Sequence, residues 1–457
     1  LTVAESISPR FNPQKAILLS FAGAILVLTG LLLLPGSSPH GLSWIDALFN
    51  ATSAVCVTGL STINIETDLT RPGQIILLAG IQAGGLGIIT FSVFFSLLFR
   101  GRCTFASRLS VGMSPHRAEL GDLLQVLGFV LLMTLSFEAL GSFILFQRLK
   151  EIHPFGDAVF SSVFHSVSAF CNAGYSIYGD NLIRFQHELL VPGCISGLII
   201  FGGLGFMVID EIRVWLFSLG REKKFRLTVY TRVCLLGSFL LLLAGTVLFY
   251  FLERDHLFAG MNLSAQLMNS FFLSVTSRTA GYNTVDTGAL MNATLFSVML
   301  LMFVGGCPGS TAGGIKVTTL AVLIALVKDQ ARFRQTTTLF KRKIPNTTVA
   351  KALAVSAASF VVVTVMTLFL QISEKAGSSA AAEREDFLGL FFETVSAFGT
   401  VGLSTGVTPT LSVAGKLAII FLMYIGRVGP LTLALAIVMK RKAGPKYEYV
   451  EEDVLVG

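Results

Sequence analysis

The chain has 457 residues, 53% of them hydrophobic and only 13% charged, with a mean hydropathy of +0.74. That leaves too little polar surface for a water-soluble globule, and several apolar stretches exceed the roughly 20 residues needed to cross a bilayer. The formal net charge of +7 does not read as a nucleic-acid footprint, because its placement follows membrane topology. Lys and Arg gather at Arg100–Arg117, Arg213–Arg232, Lys328–Lys351 and Lys440–Lys446. Asp46, Glu66 and Asp68, then Asp180 and Glu188, Glu253 and Asp255, and Glu374, Glu383, Glu385 and Asp386 fall in the alternate segments. The alternation follows the positive-inside rule and predicts a multi-pass protein of the plasma (inner) membrane with both termini cytoplasmic. Basic loops lying on anionic lipid account for most of these charges.

Taken from the start, Ala16–Pro35 is too long an apolar stretch for a secretory signal, and no small-residue cleavage site follows it. Leu120–Phe146, Phe225–Leu252, Asn292–Val304 running on into Gly305–Val327, and Val349–Ile372 are further spans. Segments of strict apolar/polar alternation are absent, which argues against a β-barrel. The six cysteines have no CxxC spacing, so neither a disulfide framework nor a zinc site is expected.

After each of four apolar stretches comes a copy of one pattern. The copies are FNATSAVCVTGLS (Phe49–Ser61), FHSVSAFCNAGYS (Phe164–Ser176), FFLSVTSRTAGYN (Phe271–Asn283) and FFETVSAFGTVGLS (Phe391–Ser404). Phe49, Phe164, Phe271 and Phe392 stand ten residues before Gly59, Gly174, Gly281 and Gly402. Between the outer apolar stretch and the glycine lie about 12 to 15 residues, too few to span. A short helix dipping in and an extended strand climbing out fits that length. A second apolar helix follows each copy: Pro72–Phe99, His187–Phe217, Met291–Val327 and Thr408–Met439. These contain GGLG (Gly84–Gly87), GGLG (Gly202–Gly205), GGCPG (Gly305–Gly309) and GRVGP (Gly426–Pro430). The first two are read as close-packing glycines of unbroken helices.

The expected architecture is an all-α integral membrane fold of eight transmembrane helices. Four helix–pore-loop–helix repeats would surround one central pore with pseudo-fourfold symmetry. The repeats are 1–110 (pore loop 43–62), 111–222 (157–177), 223–343 (263–284, with an intramembrane loop at 305–316) and 344–457 (384–405), the last with a cytosolic tail.

A desolvated monovalent cation needs a cage of oxygens, and stacked backbone carbonyls supply one. Aiming successive carbonyls at one axis requires a backbone that glycine adopts freely and other residues poorly. The candidate filter is Val57, Thr58 and Gly59; Asn172, Ala173 and Gly174; Thr279, Ala280 and Gly281; and Thr400, Val401 and Gly402. Pore helices aiming their carbonyl ends at the ion path would add negative potential. A single such motif is only a turn with a glycine; four in equivalent positions are a filter.

These repeats, the TVGLS-like loops and the C-terminal GRVGP resemble the Trk/Ktr/HKT superfamily of potassium transporters, in particular KtrB-type membrane subunits. The similarity covers essentially the whole chain. The first pore loop follows the first apolar stretch directly, without the two extra helices typical of the Trk branch. The resemblance implies potassium uptake, with potassium at the filter carbonyls, sodium dependence in some members, and Gly59 in place of the serine associated with sodium permeation. It also implies a homodimer and a cytosolic ring of RCK-type, KtrA-like subunits that bind ATP or ADP. No organic cofactor is expected in this chain.

In the third copy, Gly305, Gly306, Pro308, Gly309, Gly313 and Gly314 enclose Ser310, Thr311 and Ala312. Proline and glycine at this density break a helix, and irregular backbone at membrane depth needs a protein or water-filled surround. An intramembrane loop below the filter, acting as a gate, is therefore expected. Arg427 sits within an apolar run and is a gating candidate, because a charge at such depth must face the pore or find carbonyls. A structural tether is the competing reading. Lys316 reads as a cap of the loop, Arg278 as a brace behind the third filter segment, and Glu138 as a buried group with no partner apparent in the sequence. The six histidines form no ligand spacing, and GGCPGSTAGGIK departs from a phosphate loop by ending in Lys-Val, so no enzyme is expected. An alternating-access carrier is the alternative reading; it predicts paired broken helices in two related halves. The tail Lys446–Gly457 suits docking at an interface.

Overall fold

The computed structural model describes residues 13–98, 120–218, 226–374 and 380–429. The basic segment Arg100–Arg117 and the tail Lys446–Gly457 lie outside the described residues. Among the described residues the regular structure is helical except for one two-stranded hairpin, β1 (Thr338–Leu339) and β2 (Arg342–Lys343).

Each pore loop is preceded by a long helix: α1 (Pro13–Leu32), α5 (Leu120–Leu149), α9 (Val229–Glu253) and α13 (Asn346–Ser373). Then come the short helices α2 (Trp44–Val55), α6 (Phe155–Phe170), α10 (Leu263–Thr276) and α14 (Ala380–Gly399). At 16 and 20 residues, α6 and α14 are longer than the expected 12 to 15. Helices returning from the loops are α4 (Arg71–Leu98), the pair α7 (Leu190–Leu204) and α8 (Phe206–Ser218), the pair α11 (Asn292–Phe303) and α12 (Val317–Gln330), and α15 (Val413–Val428). A one-turn helix, α3 (Ile65–Asp68), links the first loop to α4. In every unit the long helix packs on the short helix and on the returning helix of the same unit.

Hydroxyl and amide side chains start several of these helices. Ser43 accepts from the Asp46 amide, Thr228 from Thr231, Asn262 from Ala265 and Ser412 from Gly415, satisfying amides that a helix start leaves unpaired.

Burial is inverted relative to a soluble protein. Thr52, Ser53, Ser166, Ser168, Ser270, Ser274, Thr394 and Ser396 of the short helices are buried, whereas Leu132, Phe143, Phe239, Phe360 and Ile372 of the long helices stand well exposed. Apolar side chains facing outward are at no disadvantage against lipid, and the polar interior is hydrogen-bonded to itself. Among the described residues three helices are long and apolar enough to cross a membrane: Leu127–Leu149, Val229–Glu253 and Asn346–Ser373. The bent pair α7–α8 makes a fourth.

That bend corrects the sequence reading, which took His187–Phe217 as one helix with close-packing glycines. The helix turns by 96° at Gly205, where φ is +83°. A Cβ at this position would stand 2.9 Å from the Pro308 carbonyl oxygen and 3.0 Å from that of Gly309. Only glycine satisfies both the left-handed backbone and the close approach. In the third unit α11 ends at Phe303 and α12 begins at Val317, so the expected interruption stands where the glycines and proline lie. Phe49, Phe164 and Phe392 are fully buried, but Phe271 is half-buried and the neighbouring Phe272 takes the core position.

Candidate functional site: the glycine ring and the intramembrane loop

The short helices end alike. Val57, Asn172, Thr279 and Thr400, each two residues before the ring glycine, have φ of 55°, 60°, 70° and 49°. Each is a left-handed residue that stops its helix. In the first unit the Val57 amide donates to the Ala54 carbonyl and the Thr58 amide to that of Ser53, at 3.1 and 2.8 Å. The same two bonds recur at Asn172 and Ala173, and at Thr400 and Val401. This is the Schellman pattern of helix ends, with a non-glycine residue at the left-handed position. In the third unit the Ala280 amide bonds Thr276 instead. Gly59, Gly174, Gly281 and Gly402 are again left-handed, at 99°, 69°, 78° and 93°. Left-handed residues on either side of one that is not turn successive peptide planes in concert, the condition for a stack of carbonyls on one side.

The four glycines close a ring. A Cβ on Gly59 would lie 3.4 Å from the Cα of Gly174, one on Gly174 2.7 Å from Gly281, one on Gly281 3.1 Å from Gly402, and one on Gly402 3.0 Å from Gly59. Each would also meet the carbonyl of Ala173, Ala280, Val401 or Thr58 on the adjacent segment. The four expected filter segments thus come together.

Two sets of supporting residues were not evident from the glycine pattern. Ser53, Ser168 and Ser396, six residues before the glycine, face the loop. Ser53 Oγ accepts from the Gly59 amide and Ser396 Oγ from Gly402, while Ser168 and Ser396 donate to the carbonyls of Tyr175 and Leu403. Three residues further back, Asn50, His165 and Glu393 hold the serine two places after the glycine: Ser61 Oγ to Asn50 Oδ1 at 2.8 Å, Ser176 Oγ paired with His165 Nε2 at 2.9 Å, and Ser404 Oγ to Glu393 Oε1 at 2.7 Å. Glu393, fully buried, also accepts from the Thr405 amide and the Thr408 hydroxyl. The recurring Ser after the glycine was the available signal; its partner varies in type, which hid it. Two phenols tie adjacent segments: Tyr175 donates to the Leu60 carbonyl and Tyr282 to the Tyr175 carbonyl.

Beneath the ring runs the chain from Val304 to Ile315, whose ends form a parallel bridge. Gly305 lies beside Thr279 and Gly313 beside Thr400 and Gly399, so the loop touches the first residues of two of the expected filter segments. The second unit cradles its other side: the amides of Cys307 and Thr311 donate to the carbonyls of Gly203 and Gly202, and Thr311 Oγ1 to that of Phe170. The Tyr230 hydroxyl bonds the Pro308 carbonyl at 2.6 Å. Ser310 Oγ donates to the Cys307 carbonyl. Ala312 and Gly313 offer carbonyls to Lys316 Nζ, at 2.6 and 3.2 Å, so Lys316 caps the loop as expected. Gly306 packs against Ala312, and Gly309 and Gly314 are left-handed.

Arg427 is buried and donates to two carbonyls, Thr311 of the loop and Gly84 of α4. Arg278, also buried, bonds Ser238 of α9 and the Gly305 carbonyl. Expected as a brace behind the third filter segment, it ties α9 to the start of the loop. Glu138 has a partner after all: Gln82 Nε2 of α4, at 3.2 Å.

Gly84, Gly202 and Gly426 share a further role. A Cβ on any of them would strike the carbonyl of Val55, Phe170 or Phe398, at the end of the short helix of its own unit. For Gly84 and Gly202 the close-packing reading therefore describes the contact.

The donors beside the glycine ring are backbone carbonyls and buried hydroxyls, hard oxygens of the kind that alkali ions rather than soft metals take. No cluster of three or more His, Cys, Asp or Glu that could hold a resident metal ion occurs among the described residues.

Comparison with known proteins assigns the family. Residues 4–447 match the family model TrkH, Cation transport protein. The Ktr system potassium uptake protein B of Bacillus subtilis is 35% identical over 441 residues, covering 96% of both chains. Its counterpart in Vibrio alginolyticus is 37% identical over 446 residues, covering 97% of this chain and 94% of that one. The potassium/sodium uptake protein NtpJ of Enterococcus hirae is 35% identical over 455 residues, covering 99% and 98%. Among solved structures, the potassium transporter TrkH from Vibrio parahaemolyticus superposes with a TM-score of 0.73 at 18% identity, covering 96% of this chain and 87% of that one. The chain belongs to the TrkH family of cation transport proteins.

Proposed function

We propose that this chain is a potassium uptake pore of the cell membrane. Its selectivity filter is the backbone of 57–59, 172–174, 279–281 and 400–402, and its gate is the loop 305–316 latched by Arg427. The observation that carries the reading is the closed ring of four left-handed glycines, each packed on the next segment. Four helix–pore-loop–helix repeats, 1–110, 111–222, 223–343 and 344–457, supply eight spans, with both termini on the cytoplasmic side. A buried guanidinium directly below the ring opposes cation entry while it holds the loop carbonyls.

Regulation falls to other chains. A homodimer and a cytosolic nucleotide-binding ring of RCK type are part of the proposal; the relatives' names, which describe a Ktr system, support a system of more than one component. The name of the Enterococcus relative couples potassium with sodium, and sodium dependence is part of the proposal. An alternating-access carrier remains the second reading, because Gly205 adds a second interrupted helix. Its break accommodates the loop at Pro308 and Gly309, which the pore reading explains without a moving half.

The test is potassium uptake in a transport-deficient cell, with Gly402→Ser beside the parent. A side chain there must adopt a left-handed backbone and displace Gly59 of the adjoining segment. The preference for potassium over sodium should fall about tenfold, equivalent to about 1.4 kcal/mol. Unchanged discrimination in a folded variant overturns the filter assignment. Current reversing at the potassium equilibrium potential separates an uncoupled pore from a carrier that is a sodium/potassium symporter.

A further inference from the structure

Away from the ring, α9 and α12 part to leave a cavity of about 630 Å³. Its walls are apolar near the loop and basic at the far end. Leu236, Leu240, Leu320 and Ile324 line the depth; Lys328, Arg332 and Lys341 stand at the mouth. The helices touch where Gly237 faces Val317 and diverge from there. From Val317 to Lys328 is about 16 Å of helix, close to half of the ~30 Å hydrocarbon core. The groove is thus one leaflet deep.

The mouth carries uncompensated positive charge. Asp329, the acidic residue among those lining the cavity, is engaged by Arg334 and by the Thr338 amide and hydroxyl. Among the described residues no carboxylate pairs with Lys328, Arg332 or Lys341. The hairpin supplies a second observation. Its two turn residues, Phe340 and Lys341, are both left-handed, with φ of 48° and 61°. Such turns are normally made by Asn-Gly or Gly-Gly, and a bulky residue held there is strained. The strain holds an aromatic ring and a cation at the cavity mouth, the pairing that settles at a membrane interface.

We propose that this groove is a binding site for an anionic diacyl phospholipid. One acyl chain lies between α9 and α12, and the headgroup phosphate lies among Lys328, Arg332 and Lys341. The claim is independent of what the pore carries.

The full-length protein, purified from vesicles of phosphatidylcholine and phosphatidylglycerol, is examined by native mass spectrometry for retained lipid. The parent should keep phosphatidylglycerol in preference to phosphatidylcholine. Each of Lys328→Gln, Arg332→Gln and Lys341→Gln should lower that retention about fivefold, with the melting temperature confirming a folded protein. Ile324→Trp, which fills the groove and leaves the charges in place, should displace the lipid as well. The proposal is overturned if the two lipids are retained equally, if the charge variants lose both alike, or if Ile324→Trp changes nothing. Displacement by millimolar inorganic phosphate alone would assign the charges to a free anion and reject the lipid.

Discussion

Glu393 is a carboxylate buried at the heart of the fourth unit, and the hydrogen bonds it accepts come from Ser404, Thr405 and Thr408, all uncharged. Glu393→Ala leaves those donors without an acceptor and should cost about 3 kcal/mol or more. A fall in melting temperature that Glu393→Gln largely avoids would confirm it; equal melting of parent and Ala variant would refute it. This residue shows what single positions concealed. The glycines were legible because one conformation demands them. Asn50, His165 and Glu393 do the same job with three chemistries, since a hydroxyl can be held by an amide, an imidazole or a carboxylate. The left-handed Val57, Thr279 and Thr400 were legible as members of the proposed filter but not in their conformation, because β-branched residues disfavour it.

At the scale of elements, the same tetrapeptide has two outcomes. GGLG at Gly84–Gly87 stays within α4, whereas at Gly202–Gly205 it ends α7 with a 96° turn. The difference lies in a distant contact, the Pro308 and Gly309 carbonyls pressed on Gly205, which no local pattern contains. The interruption between α11 and α12 was legible from density of glycine and proline alone. Deleting Ser310–Gly313 removes the stretch that reaches Thr311 and Gly313, and with it the contacts to Phe170, Arg427 and Thr400. Potassium flux should rise severalfold; lost or unchanged flux in a folded variant would end the gate assignment. The hairpin offers a test in another variable. Asp329 lies beyond the apolar run that ends at Val327, and the amide of Thr338, with its hydroxyl and Arg334, holds its carboxyl below the usual carboxylate range. Because the folded value is depressed, its contribution is present above about pH 4 and lost as pH falls further. The melting-temperature gap between the parent and Asp329→Asn should therefore be open at pH 7 and close below about pH 4.

For the whole molecule, the composition and spacing gave the class, and the inverted burial follows from it: polar short helices inside, apolar long helices outside. Two of the spans were less legible, because α7 and α8 bend at Gly205 and the glycine-rich loop parts α11 from α12. The four units are bound to one another unevenly. The first and second share Glu66 with the Gly179 amide, the second and third share Tyr282 with Tyr175, and the fourth and first share Lys416 with Asp46 at 2.8 Å. Between 223–343 and 344–429, outside the hairpin that joins them in sequence, the hydrogen bond among the described residues is that of Arg427 to Thr311.

Among the described residues, that bond is the one polar clasp of a bracelet whose third and fourth units are otherwise joined by packing, Gly281 on Gly402, Gly313 on Thr400 and Phe303 on Phe398. In the proposed pore, opening the loop releases this tie on the fourth segment, which links permeation to discrimination at this joint. Arg427→Gln, which retains less reach and no charge, should raise resting flux and, in the same protein, quicken amide exchange at Thr400–Leu403 over Val57–Leu60. Faster flux with exchange unchanged at both would mean that the clasp closes only the passage and leaves the bracelet whole.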